Sequence, residues 1–297
     1  MLSSFFKTSK PIHFIITFLM VFAASTYLVL SDPLMGWSYL WIPFTAVLSV
    51  ALFHFITIKN EFISSNSYGL WMYSCLFITG LLFTREMNFY IAYLFLLLSL
   101  RRVLSMHTGK QMTKKIFDAS LWICIACIFY SWSIIFFSIL FISIIIHAFK
   151  KLNYWAIPCI AIATVSILTF TIDQFSYLNL WSNFLDGFNY YINYDNIDFS
   201  SSLVVFLVFA MLCLVFSICL LMGIPNISLS ARSRFSVLGF TGICVAIDYI
   251  LNGSSLLSII VIAIFLTRIL QYSNRKILVE SVLWVPFLIL MVSLFLK

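Results

Sequence analysis

RRVLSMHTGKQMTKKIFDASLWICIACIFYSWSIIFFSILFISIIIHAFKK, residues 101–151, decides the fold of this chain. Its basic residues sit at the two ends: Arg101, Arg102, Lys110, Lys114 and Lys115 ahead of the apolar run, Lys150 and Lys151 behind it. Inside the run, 116–149, the only charge is Asp118, with His147 near the end. As one straight helix rising about 1.5 Å per residue it would reach ~51 Å, against a hydrocarbon core of about 30 Å. Short basic loops stay on the cytoplasmic side, so both clusters belong inside and an even number of crossings lies between them. The run therefore reads as a hairpin of two spans. It turns near Tyr130, Ser131, Trp132 and Ser133, whose aromatic and hydroxyl groups suit the outer interface. Once that hairpin is fixed, every other loop acquires a side.

Composition agrees with this reading. The 297 residues are 63% hydrophobic and only 9% charged, which excludes an ordinary soluble domain, where about a quarter of residues carry charge. The net charge of +7 is what inward-facing loops of a membrane protein produce, so it carries no argument for nucleic acid, and none is expected as a partner. The seven cysteines all fall in apolar runs, which excludes a disulfide framework. Cys124 and Cys127 form a C-x-x-C, but no βαβ pattern and no second pair accompanies it, so they read as packing residues.

Taken in order, the basic stretch 1–10 precedes an apolar run, 12–30. That run exceeds the 7–15 residues of a signal-peptide core, so it reads as an uncleaved first span with the N-terminus inside. Asp32, Pro33 and Gly36 mark an outer turn, and span two, 39–58, returns to Lys59 and Glu61. Span three, 68–83, ends at Arg85 and Glu86; span four, 89–100, is cut short by Arg101. After the hairpin, span seven covers 154–172. The polar loop 173–199 carries Asp173, Asp186, Asp195 and Asp198 with no Lys or Arg, so it belongs outside. Span eight, 201–221, leads to an inner loop with Arg232 and Arg234. Span nine, 235–250, holds Asp248, span ten ends at Arg268, and span eleven runs out to Lys297. Of 17 basic residues, only Arg85 and Lys297 fall outside.

The charges placed at the outer ends of spans are Asp32, Arg85, Glu86, Asp173 and Asp248. Ionisable groups at a membrane mark sites more often than chance allows. A carboxylate among them is a candidate general base or cation ligand, and Arg85 a candidate phosphate clamp; the plainer reading is ordinary interfacial charge in contact with water. In the outer loop, Phe175, Leu178, Trp181, Leu185 and Phe188 recur at helical spacing opposite Asn179, Ser182, Asn183 and Asp186, predicting an amphipathic helix on the outer leaflet. Tyr190, Tyr191 and Tyr194, interleaved with asparagines, can stack on and hydrogen-bond a sugar, or else form an interfacial aromatic belt. His13, His54, His107 and His147 lie on four segments without HxxxH or HxxH spacing, so no metal centre is expected. Neither a Walker, a dinucleotide-binding nor a Gly-x-Ser-x-Gly pattern occurs, and the sequence names no cofactor.

Two resemblances follow from these residues. MLSSFFKTSKPIHFII at the start, and FLLLSLRRVLSMHTGKQMTKKIFDASLWICIACIFYSWSIIFF, resemble an uncharacterised family of bacterial polytopic inner-membrane proteins of similar length. The layout also resembles the C-type membrane glycosyltransferases that use polyprenyl-phosphate sugars. An acidic residue, Asp32, follows the first span, a basic inner loop precedes a short apolar hairpin, and a larger outer loop follows span seven. The chain departs from that layout in having a short first outer loop with a single carboxylate. The resemblance implies an all-α, single membrane domain over 1–297. Residues 1–222 would form a C-type-like core of eight spans, followed by three more in 223–297, giving about eleven crossings with the C-terminus outside. It implies an outer-facing cavity for a polyprenyl-phosphate-linked sugar, with Asp32 and Glu86 as catalytic groups. Arg85, Asp173, Trp181, Tyr190, Tyr191 and Tyr194 would be its substrate-binding groups. Membrane lipids and other membrane proteins are the expected partners. The alternative is a non-enzymatic membrane component: a transporter, a lipid-handling protein or a subunit of an envelope complex.

Overall fold

The computed structural model of the chain describes residues 2–31, 39–63, 66–83, 88–149, 151–176, 179–186, 215, 218, 229–252, 256–272 and 275–296. Regular structure among them is helical, with no strand. In chain order the helices are α1 (Leu2–Phe6), α2 (Pro11–Ser31), α3 (Trp41–Lys59), α4 (Tyr68–Phe83), α5 (Asn88–Leu104), α6 (Met112–Phe129) and α7 (Phe136–Ala148). Then come α8 (Asn153–Ser176), α9 (Leu180–Asp186), α10 (Leu229–Asn252), α11 (Leu256–Tyr272) and α12 (Lys276–Leu296). A 3-10 turn, Ser105–Thr108, extends α5, and a second, Ser131–Ile135, leads into α7. Five stretches are long and apolar enough to cross a membrane: Pro11–Leu30, Trp41–Lys59, Asn88–Thr108, Ser131–Ala148 and Asn153–Phe175. Three shorter apolar helices accompany them: Tyr68–Leu82, Leu256–Gln271 and Val279–Met291.

The distribution of side chains is that of helices in lipid. Large apolar groups face outward along whole helices, for example Ile15, Leu19 and Leu30 on α2 and Ile167, Leu168 and Phe170 on α8. The interior instead holds hydroxyls that donate to their own helix: Ser25 to the Val21 carbonyl at 2.7 Å, Ser74 to Leu70 at 2.8 Å, Ser120 to Ile116 at 2.7 Å and Thr267 to Ala263 at 2.8 Å. A short hydroxyl side chain satisfied by its own backbone lets neighbouring helices approach closely, and it leaves no polar group in hydrocarbon.

The described residues fall into two compact units. The first comprises Met1–Tyr90 and Ser255–Lys297, and α4 is its core. Each side chain from Tyr68 to Leu81 is buried, as expected of a helix that is apolar all round. It packs on α2, α3, α11 and α12. Phe53 of α3 stacks on Tyr73 with ring centroids 3.9 Å apart, and the Trp71 indole N–H donates to the Leu283 carbonyl at 3.2 Å. Gly69 marks a close approach. A Cβ there would meet Ile63 Cδ1 at 2.5 Å and Thr267 Cγ2 at 3.3 Å. The short α1 is clasped to α12: the Leu2 N–H donates to Glu280 Oε1 at 2.9 Å and the Ser3 hydroxyl donates to Glu280 Oε2. The Tyr68 hydroxyl donates to the Ser3 carbonyl at 2.9 Å, and Phe6 packs between His13 and Trp71.

The second unit, Ile91–Ser254, is built on α6, which packs along α8 and also touches α7 and α9, while α10 packs on α7. Phe95 of α5 stacks with Trp122 and Phe129 of α6. The expected turn of the hairpin is present: α6 ends at Tyr130, which is extended (φ −147°, ψ 103°), and the 3-10 turn starts the return. The α5–α6 connection uses Gly109 at φ 67°, a left-handed conformation that glycine adopts without strain, and Gln111 at φ 50°.

Three sequence expectations need correction. Span four does not stop at Arg101, because α5 continues through Arg101 and Arg102, and Arg102 pairs with Asp118 of α6 at 3.0 Å. Arg232 and Arg234 are not in a loop; both lie in α10, and Arg234 is buried. The amphipathic helix predicted from Phe175 onward is divided. Phe175 belongs to the end of α8, and α9 is only the seven residues Leu180–Asp186. Span eight lies outside the described residues, apart from the exposed Val215 and Ile218.

Candidate functional site

The end of the second unit that carries the α6–α7 turn collects its polar groups from four elements. α8 delivers Asp173 near its C-terminus. Asn179 then takes φ 51°, a left-handed conformation that asparagine tolerates better than most residues. That reversal brings the first amides of α9 back over Asp173. The Leu180 N–H donates to Oδ1 at 2.7 Å and the Trp181 N–H to Oδ2 at 2.8 Å. A helix start has unsatisfied N–H groups, and a carboxylate satisfies them with the favourable sign of charge. Asp173 is therefore the residue that positions α9, and through it Trp181, whose side chain is 45% exposed and lies 6.0 Å from the Phe184 ring.

α9 is also tied to the turn. The Ser131 hydroxyl donates to the Phe184 carbonyl at 3.0 Å. Next to it, the Tyr130 hydroxyl donates to Asp248 Oδ1 of α10 at 3.4 Å. Asp248 is 1% exposed, so its carboxylate is held away from bulk water, where an ionised group needs partners to persist. The Ser133 hydroxyl is equally buried and has no hydrogen-bond partner among the described residues. One corner thus holds a buried carboxylate, a phenol, a free hydroxyl and an exposed indole. Of this set only the indole is exposed, and it offers a face on which a ring-shaped group can stack.

Of the residues singled out from sequence, Asp173 and Trp181 come together here. Asp32, Arg85, Glu86, Tyr190, Tyr191 and Tyr194 lie outside the described residues. Asp248 was legible as a charge at the end of a span; Tyr130 and Ser131 were legible as turn residues only. Their pairing was not, because it joins positions far apart in sequence.

The histidines are dispersed among separate partners. His13 shares a hydrogen bond with Ser67 at 3.1 Å, His54 packs on Phe14, His107 donates to the Leu104 carbonyl at 2.8 Å and His147 donates to the Ser143 carbonyl at 2.9 Å. Among the described residues, no three His, Cys, Asp or Glu side chains gather into a group that could hold a metal ion. Compared with known proteins, the chain matches no protein-family model, no curated protein and no solved structure.

Proposed function

We propose that this chain is an integral membrane protein that binds a polyprenyl-phosphate-linked sugar at the turn end of its second unit and transfers that sugar. The carrying observation is that corner itself: Trp181 is presented by the Asp173–α9 clamp at the same end as the buried Tyr130–Asp248 pair. An exposed indole offers a face for a sugar ring. Tyr190, Tyr191 and Tyr194 follow α9 in the chain. The transfer step rests on the resemblance to the C-type glycosyltransferases alone, which implies Asp32 as the base, Glu86 as its support and Arg85 as the phosphate partner; all three lie outside the described residues. In this reading the chain crosses a bacterial inner membrane about eleven times, with the N-terminus inside and the turn end outside.

The test uses the purified full chain with a polyprenyl-phosphate sugar. Trp181→Ala should weaken binding about tenfold, the loss of one aromatic contact. Asp32→Asn should bind as the unaltered protein does and turn nothing over. If neither variant changes binding and no protein turns over, the reading fails and a non-enzymatic membrane component stands in its place. One observation favours that second reading: both oxygens of Asp173 are already engaged by the α9 backbone, which leaves this carboxylate a structural task.

A further inference from the structure

The opposite end of the second unit has a different chemistry. Residues 91–151 contain seven basic side chains and one acid, Asp118, and Arg102 already pairs with that acid. The described basic side chains lie at the α5–α6 connection and just past the end of α7. The 3-10 turn Ser105–Thr108 touches both α6 and α7, and Lys115 Nζ donates to the Ser105 carbonyl at 2.5 Å and to the Thr108 hydroxyl at 2.6 Å. Ser143 of α7 donates to the Val103 carbonyl at 3.4 Å, which brings the end of α7 against the end of α5. Lys151 follows directly, its Nζ 5.6 Å from the Tyr154 ring centroid, while Lys110 and Lys114 are exposed.

This cluster is more than a set of inward-facing charges spread along loops. Lys114 and Lys115 occupy the first turn of α6, where the helix dipole is positive and cations are unfavourable. No acid occupies that turn, and Gln111 at its head makes no side-chain cap. Two fields of the same sign therefore meet: the lysines and the helix start. An anion relieves both. Immediately beside the lysines, Phe149 and Leu152 are 66% and 82% exposed, and Ile145 and Ile146 of α7 and Ile160 of α8 continue the apolar surface.

We infer that this end of the second unit is a binding site for an anionic phospholipid. Its phosphate sits among Lys110, Lys114, Lys115 and Lys151, and its acyl chains lie along the exposed apolar side of α7 and α8. The charge selects the headgroup, and the adjoining apolar surface selects a lipid over a soluble anion.

The experiment titrates the full chain in detergent with phosphatidylglycerol, phosphatidylcholine and inorganic phosphate, reading thermal shift and lipid retained in native mass spectra. Phosphatidylglycerol should bind and raise the melting temperature; phosphatidylcholine and phosphate should do neither. Lys110→Gln with Lys114→Gln should weaken phosphatidylglycerol binding by roughly 5-fold for each lysine. The control pair Lys7→Gln with Lys10→Gln, exposed residues of the other unit, should leave it unchanged. Binding by the unaltered protein should also fall as salt rises, a readout that needs no variant to fold. Equal binding of the two lipids, equal loss in the control pair, displacement by phosphate at matching concentration, or salt-independent binding would each overturn the inference.

Discussion

Asp173 illustrates how much a single side chain decides. Its two oxygens each take an amide of α9, across a reversal made at Asn179. Asp173→Ala removes both acceptors and should loosen the start of α9 by about 1–2 kcal/mol. Hydrogen exchange at the Leu180 and Trp181 amides measures this; unchanged exchange would mean that the carboxylate does not hold the helix. Tyr130→Phe is a finer probe. The hydroxyl lies 3.4 Å from Asp248, a long bond, so its loss should cost only about 0.5–1.5 kcal/mol. A double-mutant cycle with Asp248→Asn isolates the pair, and a coupling energy of zero would dismiss it. The sequence could mark Asp173 and Trp181 as an acid and an aromatic beside a span. It could not say that the acid serves the aromatic, because that link depends on one left-handed residue between them. The Tyr130–Asp248 contact bridges 118 positions, and no local pattern encodes such a distance.

Among the elements, those legible in the sequence were bounded by polar residues on both sides. α4 occupies 68–83 as its apolar run foretold, and α2, α3 and α8 differ from expectation by a few residues at their ends. The errors have a common cause: charges were read as boundaries. A helix needs its backbone ladder and tolerates arginine well, so α5 runs on through Arg101 and Arg102, and α10 begins before Arg232. Hydropathy locates where a helix is embedded in lipid, which is a different question from where it ends. α4 also yields a packing test. Gly69→Ala places a methyl 2.5 Å from Ile63 Cδ1 and should destabilise the protein by about 1–3 kcal/mol. Ile63→Val deletes that carbon. Thermal unfolding should therefore show the double variant recovering part of the loss, while strictly additive losses would refute the clash.

At the scale of the whole molecule, the asymmetry of charge sets the expected orientation. Reporter fusions after Lys115, Lys151 and Lys276 should report the cytoplasm, and fusions within 182–196 should report the outside. A cytoplasmic signal from the latter would reverse every assignment, since sides alternate from the basic hairpin. The division into two units was not visible in the sequence. It rests on α4 packing against α11 and α12, contacts between segments that share no repeat and no spacing. That packing has a consequence for how the protein is made. The first unit is discontinuous, and α2, α3 and α4 leave the ribosome well before the helices that cover α4. At ~5–20 residues per second, the intervening unit imposes a delay of roughly 10–30 s. During that interval a helix that is buried from Tyr68 to Leu81 in the finished unit sits with two of its faces uncovered. Assembly order, and whatever shelters α4 while it waits, thus becomes part of what this sequence has to solve.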